Sequence, residues 1–231
     1  MSWDEQFADH YVDWSAHMTA DIPFYVDLAL ETDGPLVELA VGNGRVAIPV
    51  AEATARRVIG IDTSPAMLEL ARVGAAAAGV ELDLREGDMR DLALDEPAGL
   101  IYCPFRALLH LPTWADRRRT FERVAASLQP GGRFAWNAFA LDHRIAVRLD
   151  GNHHDEPVPH AVRYAVAENR IDLILDGTGG VSSLWWATKN EWLGLLDVAG
   201  FEVEALYGDF DRSPLVDDSD EYVFVVRRRQ H

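Results

Sequence analysis

Residues 37–45 read Val-Glu-Leu-Ala-Val-Gly-Asn-Gly-Arg, and the fold is decided there. A short apolar run, Pro35–Ala40, has the length and composition of a buried strand, and it ends in a glycine-rich turn. A helical pattern, Arg45–Ala53, follows at once. Strand, glycine turn and helix in immediate succession open a parallel α/β unit. In such sheets ligands bind beyond the carboxyl ends of the strands, where a helix N-terminus offers free N–H groups. Gly42 and Gly44 have no side chains where a ligand must approach the backbone.

Outward from this turn the same rhythm continues. Arg57–Asp62 is a second strand, and Pro65–Ala77 a helix closed by Gly79. Glu81–Arg85 is a third strand and Gly99–Cys103 a fourth. Trp114–Leu128 is a helix, opened by a capping pattern at Thr113-Trp-Ala-Asp116 and stopped by Pro130-Gly131-Gly132. Arg133–Ala138 is a fifth strand. Between 140 and 187 the rhythm breaks into short alternating stretches, VRYAVAEN, RIDLILD and SSLWWAT, divided by Asn169 and Gly177-Thr-Gly-Gly180. These predict a small antiparallel meander. A helix, Lys189–Val198, then leads through Gly200 to two strands, Phe201–Tyr207 and Tyr222–Arg227, joined by an acidic turn. Upstream, Phe7, Tyr11, Trp14 and Met18 recur at near-helical spacing, which predicts helix within residues 1–32.

Composition narrows the function. A chain of 231 residues with 48% hydrophobic content suits one globular domain. The net charge of −17 repels phosphate backbones, so nucleic acid is not an expected partner. The two basic runs, Arg117-Arg118-Arg119 and Arg227-Arg228-Arg229, read as solvated surface. No stretch approaches the roughly 18 apolar residues of a membrane span. The N-terminal MSWDEQFADHYVDW has neither a basic region nor an apolar one, and Cys103 is the only cysteine. A reducing cytoplasm is the expected location. His153-His154-Asp155-Glu156 reads as a solvated lid loop, since adjacent residues in an extended loop seldom converge on one ion, and no metal is expected.

Three strand ends together describe a nucleoside site. Gly42 and Gly44 follow the first strand, Asp62 ends the second, and Gly87-Asp88-Met89 follow the third. A carboxylate at Asp62 can accept from both hydroxyls of a ribose. Asp88 can accept from an adenine amine, while the next backbone N–H reaches a ring nitrogen. The glycines alone also fit the looser dinucleotide pattern, Gly42-Asn-Gly44-Arg-Val-Ala47 with an acidic residue downstream. An NAD(P)-dependent oxidoreductase is therefore an alternative, and a non-catalytic nucleoside-binding protein another.

From about residue 33 onward the chain resembles the class I S-adenosylmethionine (SAM)-dependent methyltransferases. Glu38 through Gly44 is similar to the family's first motif, Gly60-Ile-Asp-Thr-Ser-Pro-Ala-Met-Leu68 to its second, and Glu86-Gly-Asp-Met-Arg90 to its third. Leu108-Leu-His-Leu111 with Arg117–Gly132, and Ala199-Gly200-Phe201, resemble its later landmarks. The resemblance implies a Rossmann-like sheet of order 3-2-1-4-5-7-6 with strand 7 antiparallel, helices on both faces and a small antiparallel lid insertion. It implies that Glu38, Ala40, Gly42 and Gly44 surround the methionine half of SAM. Asp62 and Thr63 would hold the ribose, with Met67, Asp88, Met89 and Cys103 around the adenine and the strand-four edge. Tyr11 resembles residues that fold over bound SAM. One departure is Ala40, where the family usually has glycine. The fourth strand ends in Ile101-Tyr-Cys-Pro104 rather than an aspartate, and no Asn-Pro-Pro-Tyr type sequence occurs. Metal-assisted catechol chemistry and nucleic-acid base methylation are thereby disfavoured.

The expected reaction moves a methyl group from SAM to an N or O nucleophile of a small molecule, leaving S-adenosylhomocysteine (SAH); the non-catalytic alternative is a SAM-binding protein. Aligning the nucleophile and stripping its water are the protein's main tasks. His110, just past strand four, is the candidate catalytic base. In similar sugar-amine N-methyltransferases a histidine in this stretch lies beside the substrate. Arg106 can clamp a substrate carboxylate, and Trp136 and Asn137, ending strand five, can line the cleft. Trp185 and Trp186 lie on the meander, where neighbours face opposite ways, so one can line the cleft while the other packs. The expected organisation is an N-terminal helical cap (1–32), a SAM-binding core (33–139), an inserted lid (140–187) and a C-terminal helix with a strand pair (188–231).

Overall fold

The computed structural model describes residues 18–140, 146–148, 150–156, 158–177 and 180–229. Within them a mostly parallel sheet of seven strands carries helices on both faces. In chain order the larger unit contains α1 (Ile22–Leu30), β1 (Leu36–Leu39), α2 (Ala47–Thr54), β2 (Val58–Asp62), α3 (Pro65–Ala78) and β3 (Leu82–Glu86). It continues with β4 (Ala98–Cys103), α4 (Trp114–Ser127) and β5 (Leu128–Phe139). A smaller antiparallel sheet follows, of β6 (His153–His154), β7 (His160–Ala165), β8 (Arg170–Leu175) and β9 (Val181–Trp185). Then α5 (Lys189–Val198), β10 (Phe201–Tyr207) and β11 (Glu221–Arg228) complete the large sheet.

Its order is β10-β11-β5-β4-β1-β2-β3, with β11 antiparallel to both β5 and β10. With the meander strands left out of the count this is 3-2-1-4-5-7-6, as the sequence implied. Strands β1 and β4 are buried along their whole length, because helices cover both sides. Alternation divides their side chains. Val37, Leu39, Ile101 and Cys103 pack on the face with Phe121 of α4 and Trp192 of α5. Leu36, Leu100 and Tyr102 pack on the face with α1, α2 and Leu68 of α3.

Local chemistry sets the helix ends. Ser64 caps α3 by accepting from the Met67 N–H, Pro65 occupies its first position, and Gly79 closes it at φ +71°. Thr113 caps α4 by accepting from the Asp116 N–H at 3.0 Å, as its pattern predicts. Thr188 and Glu191 cap α5 reciprocally. Helix α2 begins two residues later than its apolar pattern, since Arg45 is still in the turn and reaches back to Asp21. Strand β5 begins earlier than expected, at Leu128, because it pairs with β4 from Ala98↔Leu128 onward.

Two surface readings change. His153 and His154 form an edge strand paired to β7 rather than a loop, with His153 Nε2 3.4 Å from both Asp155 and Asp176. No metal-binding group of three His, Cys, Asp or Glu occurs among the described residues. Arg117 is buried, 5% exposed, whereas Arg118 and Arg119 are surface side chains paired with Glu122 and Asp91. Its helical phase explains this: Arg117, Thr120, Phe121 and Val124 share the buried stripe of α4. Of residues 1–32, read as helical from the spacing of Phe7, Tyr11, Trp14 and Met18, Ile22–Leu30 form a helix and Met18 does not, while Phe7, Tyr11 and Trp14 lie outside the described residues. No helix among the described residues is long and apolar enough to cross a membrane.

Candidate active site

The carboxyl ends of the parallel strands bring most of the sequence-derived residues to one edge. After β1 the backbone turns through Ala40 at φ +54°, Gly42 at φ +54° and Gly44 at φ +81°. A Cβ on Gly44 would also meet Ile48 Cδ1 at 3.0 Å, so the turn is tied to glycine sterically as well. Ala40 adopts the left-handed backbone despite its methyl group, at a cost of about 1–2 kcal/mol.

Asp62 ties this turn to β2. Its Oδ2 accepts from the Gly42 N–H at 2.8 Å and its Oδ1 from the Ser64 N–H at 2.9 Å. Gly60 lets Val41 close over β2, since a Cβ there would lie 2.8 Å from Val41 Cγ2. Thr63 is exposed beside Asp62, and Met67 is buried one turn into α3.

Beneath the turn lies Glu38, 2% exposed, whose Oε2 has no hydrogen-bond partner among the described residues. Burial raises its pKa well above the usual carboxylate range, opposed by the Tyr102 hydroxyl and the Arg45 charge. Tyr25 of α1 stacks on Tyr102 at 5.4 Å, and its own buried hydroxyl is likewise without a partner among the described residues. Arg45 grips Asp21 through two bonds of 2.6 and 2.7 Å and lies over the Phe105 ring at 5.0 Å. The first turn of the fold is thereby fastened to the segment entering α1.

At the end of β3, Asp88 is already engaged. It accepts from the Arg90 N–H at 2.8 Å and pairs with the Arg90 guanidinium at 2.6 Å, and Arg90 reaches on to Asp116 at 3.1 Å. The Arg90 side chain holds the Asp88 carboxyl below its ordinary pKa. A base amine at Asp88 would share it with Arg90. Met89 packs against the core beside it. Cys103 is fully buried, and burial pushes its thiol pKa up, away from reactivity.

Past β4, Phe105 and Arg106 are consecutive left-handed residues, at φ +57° and +59°. Two adjacent non-glycine residues in that region persist only where their surroundings hold them. The holding groups are visible. Asn137 Oδ1 accepts from the Arg106 N–H at 3.2 Å, and Asn137 Nδ2 donates to Glu221 Oε2 at 3.0 Å. The Arg106 guanidinium bonds Glu221 Oε1 and lies 3.9 Å above the Phe139 ring. Arg106 is therefore committed to a protein carboxylate and not free to clamp a ligand's. Asn137 is buried and structural to the same ring of contacts. Trp136 is a core side chain, fully buried and stacked on Phe224 at 4.7 Å, its cross-strand neighbour.

His110 ends a single 3-10 turn, Ala107–His110, and hydrogen-bonds the Ser183 backbone on β9. That bond favours the charged ring, so the imidazole N–H is the donor and the Ser183 carbonyl the acceptor. Burial is the larger influence and pushes the pKa down to about 4. Trp185 and Trp186 lie where β9 ends, both half-buried, with Trp186 stacked on Tyr164 at 6.2 Å. Tyr11 lies outside the described residues. The sequence reading passed over Tyr25 and Glu221 and took Arg117 for solvated surface. Only Arg117 carried a local signal, its phase on the buried stripe of α4.

Comparison with known proteins agrees with this geometry. Residues 36–132 match a family described as a methyltransferase domain. Over 217 residues the chain is 27% identical to a dTDP-4-amino-2,3,4,6-tetradeoxy-D-glucose N,N-dimethyltransferase of Saccharopolyspora spinosa, covering 85% of this chain and 82% of that one. The CcbJ methyltransferase from Streptomyces caelestis superposes with a TM-score of 0.79 at 24% identity, covering 96% of each chain. SAM-bound CalS10, an amino pentose methyltransferase from Micromonospora echinaspora, superposes with a TM-score of 0.68 at 22% identity over 97% of each. The matched residues include the glycine turn, and the family is a methyltransferase one rather than a nicotinamide one. Residues 36–132 match a methyltransferase domain, and the chain as a whole has the fold of the methyltransferases on which it superposes.

Proposed function

We propose that this methyltransferase binds SAM across the ends of β1, β2 and β3 and methylates an amine of a small molecule, with amino sugars as the first class to try. The observation that carries the cofactor reading is that Glu38 Oε2 and Tyr25 Oη are buried without a partner among the described residues, beneath a glycine turn fastened to Asp62. Buried polar groups are nearly always satisfied, so two orphans at one strand edge argue for a ligand that completes them. Glu38 and the turn from Ala40 to Gly44 would hold the amino-acid end, Asp62 with Thr63 the ribose, and Asp88 with Met89 the base, near Met67 and Cys103. Tyr11, from the segment before α1, would fold over it.

When bound, SAM supplies a methyl group on a positively charged sulfur, ready for in-line displacement. The protein's part is to present the nucleophile dry and aligned. His110 is suited to this, because its depressed pKa keeps it neutral near pH 7 and its N–H is committed to Ser183. It would stand beside the acceptor amine as the candidate base of the site. Relatives named for amino-sugar methylation support nitrogen over oxygen. The small antiparallel sheet would serve as the lid over the acceptor, with Trp185 or Trp186 against it. A charge of −17 opposes a nucleic-acid acceptor and suits a cationic one. The lone cysteine fits a cytoplasmic setting.

Calorimetric titration with SAH, with NAD as control, tests the cofactor assignment. SAH binding with silent NAD supports it, and the reverse overturns it. Asp62→Ala removes the acceptor of two backbone bonds as well as the ribose contact, and weakens SAH binding at least tenfold. An affinity within twofold of the parent refutes the role of Asp62.

A further inference from the structure

We propose that Arg117 is a positioning residue for His110: by gripping the Trp185 carbonyl it holds the free edge of β9 in the register that turns the Ser183 carbonyl toward the imidazole. The inference rests on the reading of His110 as the base of the site.

The register of the small sheet makes the argument. Strand β9 is its last strand and among the described residues pairs only with β8, through Arg170↔Trp185, Ile171↔Leu184 and Asp172↔Ser183. Just past the strand the same register continues, with the Trp186 N–H donating to the Asn169 carbonyl at 2.9 Å. In an antiparallel ladder alternate residues bond the partner strand and the others point both backbone groups away from it. Residues 182, 184 and 186 therefore face β8, and the carbonyls of Ser183 and Trp185 face outward along one edge. They lie about 6.7 Å apart, two residues of extended chain.

Both outward carbonyls are taken by cation-capable side chains of the large unit. His110 donates to Ser183, and Arg117 Nη2 donates to Trp185. An unpaired edge would otherwise be a liability, and here the core caps it. Arg117 is well built for holding a position. Its guanidinium lies 5.0 Å over the Trp192 ring, and the side chain is buried between α4 and α5. Burial lowers its pKa to about 10, with Glu191 the charge that opposes this, so it stays cationic at neutral pH. Methionine would fill the same slot without the cost of desolvating a charge. What the guanidinium adds is the bond to Trp185, two residues from the acceptor of the His110 proton.

Ring nitrogen spectra of ¹⁵N-histidine-labelled protein test this without any substrate, with His110→Gln identifying the His110 signals. The parent shows one tautomer of His110 at pH 7 and a depressed titration midpoint. In Arg117→Met the register loosens, both tautomers appear, and the midpoint rises by about one pH unit or more toward its ordinary value as water reaches the ring. Arg117→Lys keeps a donor in the slot and restores the single tautomer. An unchanged tautomer and midpoint in Arg117→Met overturns the proposal, even if that variant melts at lower temperature. Arg117→Gln, shorter but still polar, decides the same question should Arg117→Met not fold. Turnover of His110→Gln is read separately. If it is undiminished, the base reading falls, while the tautomer result still decides what Arg117 does.

Discussion

Replacing His110 with glutamine should change how the fold responds to acid more than how stable it is at neutral pH. Burial holds the ring near a pKa of about 4 against an ordinary 6.5. A depression of about 2.5 pH units corresponds to about 3 kcal/mol. The folded state keeps the ring neutral while the unfolded chain protonates it below pH 6.5. Stability from this group is therefore complete above 6.5, is lost progressively between 6.5 and 4, and is level below 4. Glutamine does not titrate but can still donate to the Ser183 carbonyl. Glu38 and Glu221 work in the opposite direction, since burial raises both and their protonation favours the folded state as pH falls. They are common to parent and variant and cancel in the difference. Urea unfolding at pH 7.5, 6, 5 and 4 gives the curve. The parent should lose about 3 kcal/mol relative to His110→Gln across that range. Parallel curves would refute the neutral state of the half-buried His110 ring and with it the tautomer argument.

Two further substitutions test particular contacts. Ala40→Gly relieves a left-handed alanine at φ +54° worth about 1–2 kcal/mol, less the added freedom of the unfolded chain. A net gain of about 0.5–1 kcal/mol in urea unfolding is expected, and a loss would mean that the methyl group packs favourably. Glu221→Ala strands the Arg106 charge and should cost about 3–5 kcal/mol, whereas removing Arg106 as well recovers much of that loss. Additive losses in that double-mutant cycle would show that the pair is not coupled.

What could be read from the sequence follows the range of the interactions involved. Strands β1, β2 and β4 were plain because parallel strands covered on both faces are continuous apolar runs. The glycine turn and Asp62 were plain for a similar reason, since each role is written within a few residues. Glu221 was not, because its partner Arg106 lies 115 residues away and its own neighbours form an acidic turn in which one more carboxylate is inconspicuous. Arg106 offered the same difficulty from the other side: an arginine beside a strand end looks available until its counter-charge is known. Trp136 was ambiguous because strand ends supply both core and cleft residues, and only the facing Phe224 decides which. Tyr25 shares the buried stripe of α1 with Phe24, Leu28 and Ala29, so its aromatic body is legible while the solitary hydroxyl is not.

The placement of β11 has a consequence for how the chain is made. It is the last of the described strands in sequence, yet it lies inside the sheet, between β5 and β10. As a nascent chain leaves the ribosome at about 5–20 residues per second, β1 to β5 can pair while the far side of β5 stays open. Over that interval β5 presents unpaired backbone groups able to recruit a strand from another molecule. Arg106 meanwhile waits for its counter-charge until residue 221 emerges, so the turn carrying Phe105 is fixed only when the sheet closes. Chains released early would carry the whole glycine turn and Asp62 but an unfinished acceptor side. Completion of the sheet and fixing of the Phe105 turn are thus a single, last event in the making of the chain.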